Sequence, residues 1–106
     1  MSIAHAGGDP FEALGDVNRR EILTLLGAGE KSVRELADAL PISRPAVSRH
    51  LRLLKQAGLV AERPCGTLRI YRLQEQGVDV VQAYLRQVWG EATARFTLLA
   101  QNTRPQ

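Results

Sequence analysis

The 106-residue chain has little sulfur, little imidazole and few aromatic rings: one cysteine, two histidines, one tryptophan, two tyrosines and two phenylalanines. Each scarcity excludes something. A lone cysteine, Cys65, can close neither an internal disulfide nor a dithiol switch, and it fits a reducing compartment. So few thiolates and imidazoles leave little to hold a soft metal. No apolar run reaches membrane-spanning length, and no signal-peptide core is present. No nucleophile–base pair, glycine-rich phosphate loop or metal triad is visible, which sets enzyme chemistry aside. What remains is a chain of one-domain length, 44% hydrophobic and 24% charged, a globular composition expected in the cytoplasm.

The charge that is present is unevenly placed. Residues 1–30 carry two basic and five acidic side chains, residues 31–73 carry nine and three, and residues 74–106 carry three of each. A basic patch confined to the middle of a chain is the footprint of a polyanion partner; its bland counterpart is a solvated basic face.

The stretch Ile42 to Val60 lies within that patch. Ser43 is placed as an N-cap and Pro45 early enough that its missing N–H is harmless. Val47, Leu51 and Leu54 recur at helical spacing. Arg44, Ser48, Arg49, Arg52 and Lys55 lie on the remaining surface, and Gly58 is placed to end the helix in a left-handed conformation. A short helix with an apolar back and an Arg/Ser front fits a DNA major groove.

The flanking elements follow in order. Met1–Gly8 is expected to be a flexible arm, residues 9–100 a single domain and residues 101–106 a flexible tail. Asp9-Pro10 starts a short helix with Phe11 and Leu14 on one face. Asp16 starts a second, with Val17, Ile22, Leu25 and Leu26 as its buried stripe. Ser32-Val33-Arg34-Glu35 matches a capping box, and Val33, Leu36, Ala37 and Leu40 follow as an apolar face. Pro41 ends that helix, so the Leu-Pro-Ile-Ser turn joins two short helices as a helix-turn-helix. Residues 59–63 and 68–73 read as strands around the turn Pro64-Cys65-Gly66-Thr67, a hairpin wing. Gln74 to Gly77 reads as a linker. The last helix, Val78 to Ala100, alternates apolar steps of three and four through Val78, Val81, Leu85, Val88, Ala92, Phe96 and Leu99, with Tyr84 and Trp89 beside them. At ~1.5 Å per residue it spans roughly 34 Å, longer than its own core needs, and such a seam packs on another helix. The expected interface is this seam with Trp89, helped by Phe11 and Leu14, against a second copy of the chain. Gly90 marks a close helix–helix approach there.

The fold expected is mainly α with a small β-hairpin, a dimeric winged helix-turn-helix in the order α-α-α-α-β-β-α. The strings Ser43-Arg44-Pro45-Ala46-Val47-Ser48-Arg49-His50-Leu51-Arg52-Leu53-Leu54 and Ala57-Gly58-Leu59-Val60 resemble the ArsR/SmtB family of bacterial transcriptional repressors. Asn18-Arg19-Arg20-Glu21-Ile22-Leu23 and the wing string Gly66-Thr67-Leu68-Arg69-Ile70-Tyr71 resemble it too, and the resemblance covers roughly residues 10–100. It implies a homodimer with the first and last helices at the interface. It also implies binding to an imperfect inverted repeat in an operator, through helix 43–57 and wing 59–73, and in many members release by a metal or another inducer.

The chemistry assigns roles within that expectation. Arg44 and Arg49 are the candidates for base edges, since a guanidinium can donate two parallel hydrogen bonds to guanine O6 and N7. Ser48 is placed for a base or a phosphate. Ser43, Lys31, Ser32, Arg52 and Lys55 are expected on phosphates, and Arg63, Thr67 and Arg69 of the wing on the backbone or minor groove. His50, at the edge of the apolar stripe, is expected half-buried and bonded to a backbone group. Tyr71 is expected to pack the wing on the core.

The family's metal sites find no match. Its Cys-x-Cys position falls on Ser32 to Asp38, which has no cysteine, and the terminal helix carries Asp79 and Glu91 but no histidine. No cofactor is expected. A nickel or zinc site joining His5 with Asp9, Glu12 or Glu91 across a subunit interface is the metal-responsive alternative. A winged-helix module that binds protein instead of DNA is the alternative from another functional class.

Overall fold

A computed structural model describes residues 8–102, with side chains described for residues 8–90. The elements are α1 (Pro10–Ala13), α2 (Val17–Gly27), β1 (Lys31–Ser32), α3 (Val33–Ala39), α4 (Arg44–Gln56), β2 (Val60–Cys65), β3 (Leu68–Leu73) and α5 (Gln76–Asn102). The sheet is antiparallel with order β1-β3-β2. Helices and hairpin match the expected plan, with one strand added.

The helix starts follow local side-chain chemistry. Asp9 accepts from the Phe11 N–H at 2.9 Å, and Asp16 from those of Asn18 and Arg19 at 2.8 and 3.1 Å. The Ser32–Glu35 capping box is complete: Ser32 Oγ accepts from the Glu35 N–H at 3.2 Å and Glu35 Oε1 from the Ser32 N–H at 2.8 Å. Ser43 Oγ accepts from the Ala46 N–H at 3.3 Å. Each cap satisfies a donor that the helix leaves orphaned.

The core is built on α4. Val47, Leu51 and Leu54 have no exposed surface, and around them lie Ile22 and Leu26 of α2, Leu36 of α3, then Leu59 and Val60. Val17, expected in the α2 stripe, is exposed instead. It stands at the first helical position, five residues before Ile22, and a five-residue step does not keep a helix face.

Three further differences concern the sheet and its exit. β1 is too short to show a period, yet it pairs with β3 in the register Lys31↔Tyr71 and Ser32↔Ile70. β2 runs through Pro64 to Cys65, leaving only Gly66-Thr67 as the turn. An edge strand tolerates proline, because its outer N–H groups need no partner. The expected linker is shorter too: α5 starts at Gln76, and Gly77 is buried with its N–H donating to the Gly58 carbonyl at 2.8 Å. Gly58 has φ +75°, as a left-handed helix end requires. A Cβ on Gly77 would overlap the Ala57 carbonyl oxygen.

α5 leaves the body with its apolar stripe largely uncovered. Leu85, Val88 and Trp89 are about half exposed, and Val81 is partly buried. Tyr84 meets Phe11 edge-on at a centroid distance of 5.3 Å and Trp89 at 6.3 Å. Among the described residues, no atom lies within 4 Å of where a Cβ on Gly90 would stand. The side chains of Ala92, Phe96 and Leu99, like residues 1–7 and 103–106 of the expected arm and tail, lie outside the described residues.

Candidate nucleic-acid interface

The buried back of α4 fixes what its front presents. With Val47, Leu51 and Leu54 inside, helical geometry turns Ser48, Arg49 and Arg52 outward, Arg44 stands at the first helical position, and all four are exposed. Ser43 is exposed at the helix start, where the dipole adds partial positive charge. The first two turns of α4 line an open cleft of about 530 Å³ together with α3 and β3. Arg34, Arg44, Ser48, Thr67 and Arg69 converge on it. Three cations from three elements therefore face one concave space.

Arg34 is the residue that sequence reasoning missed. Its signal was faint: an exposed arginine in the first turn of a capped helix. The β1–β3 pairing carries it to the wing, and a two-residue strand announces itself by no pattern. Ser32, expected on phosphate, is 6% exposed and its hydroxyl accepts the α3 cap bond. Lys31 stands beside it on β1, half-buried. Glu35, the other half of the capping box, has its carboxyl held below the ordinary range by the Ser32 N–H.

Three of the expected cations, Lys55, Arg63 and Arg69, are paired with carboxylates. Lys55 Nζ lies 2.6 Å and Arg69 Nη1 3.5 Å from Glu62 Oε1, and Arg63 Nη2 lies 2.7 Å from Glu30 Oε1. Arg63 reaches Glu30 from β2, where Ile70 of the central strand is its ladder partner. Glu62 faces Tyr71 across the ladder. The Lys55 hydrogen bond, then that of the Tyr71 hydroxyl, lowers the Glu62 carboxyl below its ordinary range. Burial, then the same carboxylate, pushes the Tyr71 hydroxyl up to about 12. Tyr71 also packs against the core, as expected.

His50 is half-buried as expected, but its partner is a side chain rather than backbone. Arg19 Nη1 lies 3.3 Å from His50 Nδ1, while Arg19 Nε and Nη2 donate to the carbonyls of Ala13 and Glu12 at 2.8 and 3.3 Å. A guanidinium only donates, so His50 is the accepting side of this contact. One arginine thereby ties α1 and α2 to α4.

The residues named for a nickel or zinc site are not assembled within the described part. Asp9 caps α1, Glu12 is exposed, and His5 and the Glu91 side chain lie outside the described residues. Among the described residues no three His, Cys, Asp or Glu side chains gather closely enough to hold a metal. Cys65 is exposed at the end of β2, beside the turn. No helix among the described residues is long and apolar enough to cross a membrane.

A helix-turn-helix whose second helix presents a cationic face, flanked by a hairpin that shares its cleft, defines a winged helix-turn-helix protein. Comparison with known proteins carries this one step further. Residues 16–62 match the family described as bacterial regulatory protein, arsR family. The HTH-type transcriptional regulator Rv2034 of Mycobacterium tuberculosis is 41% identical over 93% of this chain and 92% of its own length. The transcriptional repressor SdpR of Bacillus subtilis is 38% identical over 59% of this chain and 70% of its own length. An ArsR-like transcriptional regulator from Rhodococcus sp. RHA1 superposes with a TM-score of 0.70 at 33% identity, covering 89% of each chain. The chain belongs to the ArsR family.

Proposed function

We propose that this protein is a homodimeric DNA-binding transcriptional repressor acting on an inverted-repeat operator. The observation that carries the reading is the outer face of α4, where Arg44, Ser48, Arg49 and Arg52 stand exposed behind a fully buried back. Arg44 and Arg49 read base edges, Ser48 a base or a phosphate. Ser43, Arg52, Lys31 and Thr67 set the register on phosphates, while Ser32 serves the α3 cap. Arg34 joins them from across the cleft. Lys55, Arg63 and Arg69 already have carboxylate partners, and each contributes as far as its partner allows.

The dimer is formed by α5 with α1. It covers the partly buried Val81 and the half-exposed Leu85, Val88 and Trp89, and extends to Ala92, Phe96 and Leu99. Two copies then present two recognition helices to successive major grooves, and a bound dimer shields a promoter. The relatives named as transcriptional regulator and repressor support this reading.

Fluorescence anisotropy with the duplex upstream of its own gene and a scrambled duplex, across salt, tests it. Preference for the first, weakening steeply as salt rises, is the expected result. Binding that ignores both sequence and salt favours the protein-interaction module. Nickel or zinc added to the same titration reads whether a metal controls release.

A further inference from the structure

Two elements bring cations to a carboxylate on a third. Lys55 comes from the last turn of α4, Arg69 from β3, and Glu62 itself from β2. The side chain of Glu62 is 16% exposed, under a Lys55 that is 52% and an Arg69 that is 65% exposed. The carboxylate is thus shielded from an approaching polyanion, while the cations it holds are not. The Lys55 contact, at 2.6 Å, is a short charge-assisted hydrogen bond, the strong kind. Arg69 is also one of the three cations that line the cleft.

Exposed ion pairs contribute little to folding. The effect of this cluster therefore falls on the field that the wing presents. A phosphate that takes Lys55 or Arg69 must compete with a carboxylate already in place.

We propose that Glu62 sets the sequence-independent part of DNA affinity, by withholding Lys55 and Arg69 from the phosphate backbone. The proposal rests on the DNA reading above. Phosphate contacts carry no sequence information, so releasing both cations strengthens binding to every duplex alike. With Glu62 in place, unspecific binding stays weak and the exposed face of α4 decides where the protein rests.

The test is the same anisotropy titration on the full chain carrying Glu62→Gln. This change keeps the shape and an oxygen for Tyr71 while removing the charge. Upstream and scrambled duplexes should both bind more tightly by one common factor, on the order of tenfold at low salt. The slope of log affinity against log salt should steepen by about 0.9 for each cation released. Adding Lys55→Gln to that variant should take back about 0.9 of the slope. Glu62→Asp, which keeps the charge but shortens the reach, should change both quantities less and in the same direction. It decides the matter alone if the glutamine variant does not fold. An unchanged or shallower slope overturns the proposal, because Glu62 then orients the cations toward phosphate or leaves them alone. A wild-type chain whose binding ignores salt overturns the DNA reading itself.

Discussion

α4 and α5 both carry an apolar stripe at helical spacing, and the fold treats them in opposite ways. In α4 the stripe is wholly inside: Val47, Leu51 and Leu54 show no surface. In α5, Tyr84, Leu85, Val88 and Trp89 each remain about half exposed. Burial of apolar area is worth about 25 cal/mol per Å², so α4 is completed by its own chain and α5 is left short of that gain. A helix finished internally can devote its other face to a ligand. A helix left open calls for a second helix.

The deepest break in that contrast comes from Leu51→Ala. A cavity in the closed core should cost about 2–5 kcal/mol, read as a lower denaturant midpoint. The matching change on the open helix, Val88→Asp, should leave the fold of each chain intact. It should weaken dimerisation by roughly thirtyfold, which is about 2 kcal/mol, read by sedimentation velocity across protein concentration. Arg44→Ala with Arg49→Ala should do neither. Each lost bidentate pair removes about 1–3 kcal/mol of base discrimination, so preference for the upstream duplex over a scrambled one collapses while melting is unchanged. Ser43→Ala removes the α4 cap along with the phosphate contact proposed for its hydroxyl, and should cost about 1 kcal/mol of stability, detectable as a small drop in melting temperature.

The smallest effect is on pH. The Asp16 carboxyl is lowered from its ordinary 3.8, chiefly by the Arg19 N–H. Glu35 and Glu62 are lowered from 4.5 by the Ser32 N–H and by Lys55 respectively. A carboxyl lowered in the folded state stabilises above its unfolded value and loses that contribution as pH falls through the folded one. Melting temperature should therefore be flat near neutrality and decline below about pH 4.5.

Legibility followed the range of the interaction. The caps at Asp9, Asp16, Ser32 and Ser43 join residues two or three apart, and sequence spacing alone revealed them. The α4 stripe was equally plain, because one face of one helix meets the core. Partners distant in sequence were not legible. Arg19 lies thirty-one residues before His50 and Arg63 thirty-three after Glu30, and no local pattern links either pair. The third strand escaped for the same reason, and with it Arg34. Val17 fails in the other direction: it is apolar and close to the stripe in sequence, but five residues before Ile22 it sits off that face.

The backbone bond between Gly58 and Gly77 acts at a distance. It rivets the take-off point of α5 to the end of α4, with no side chain between them to act as a spring. Successive major grooves on one side of a duplex lie roughly 34 Å apart, and a pair of reading heads must match that pitch. If two copies join through α5, these paired glycines are the fixed mark from which the gauge is measured, so a bulkier residue at position 77 would alter which operator spacing the pair can span.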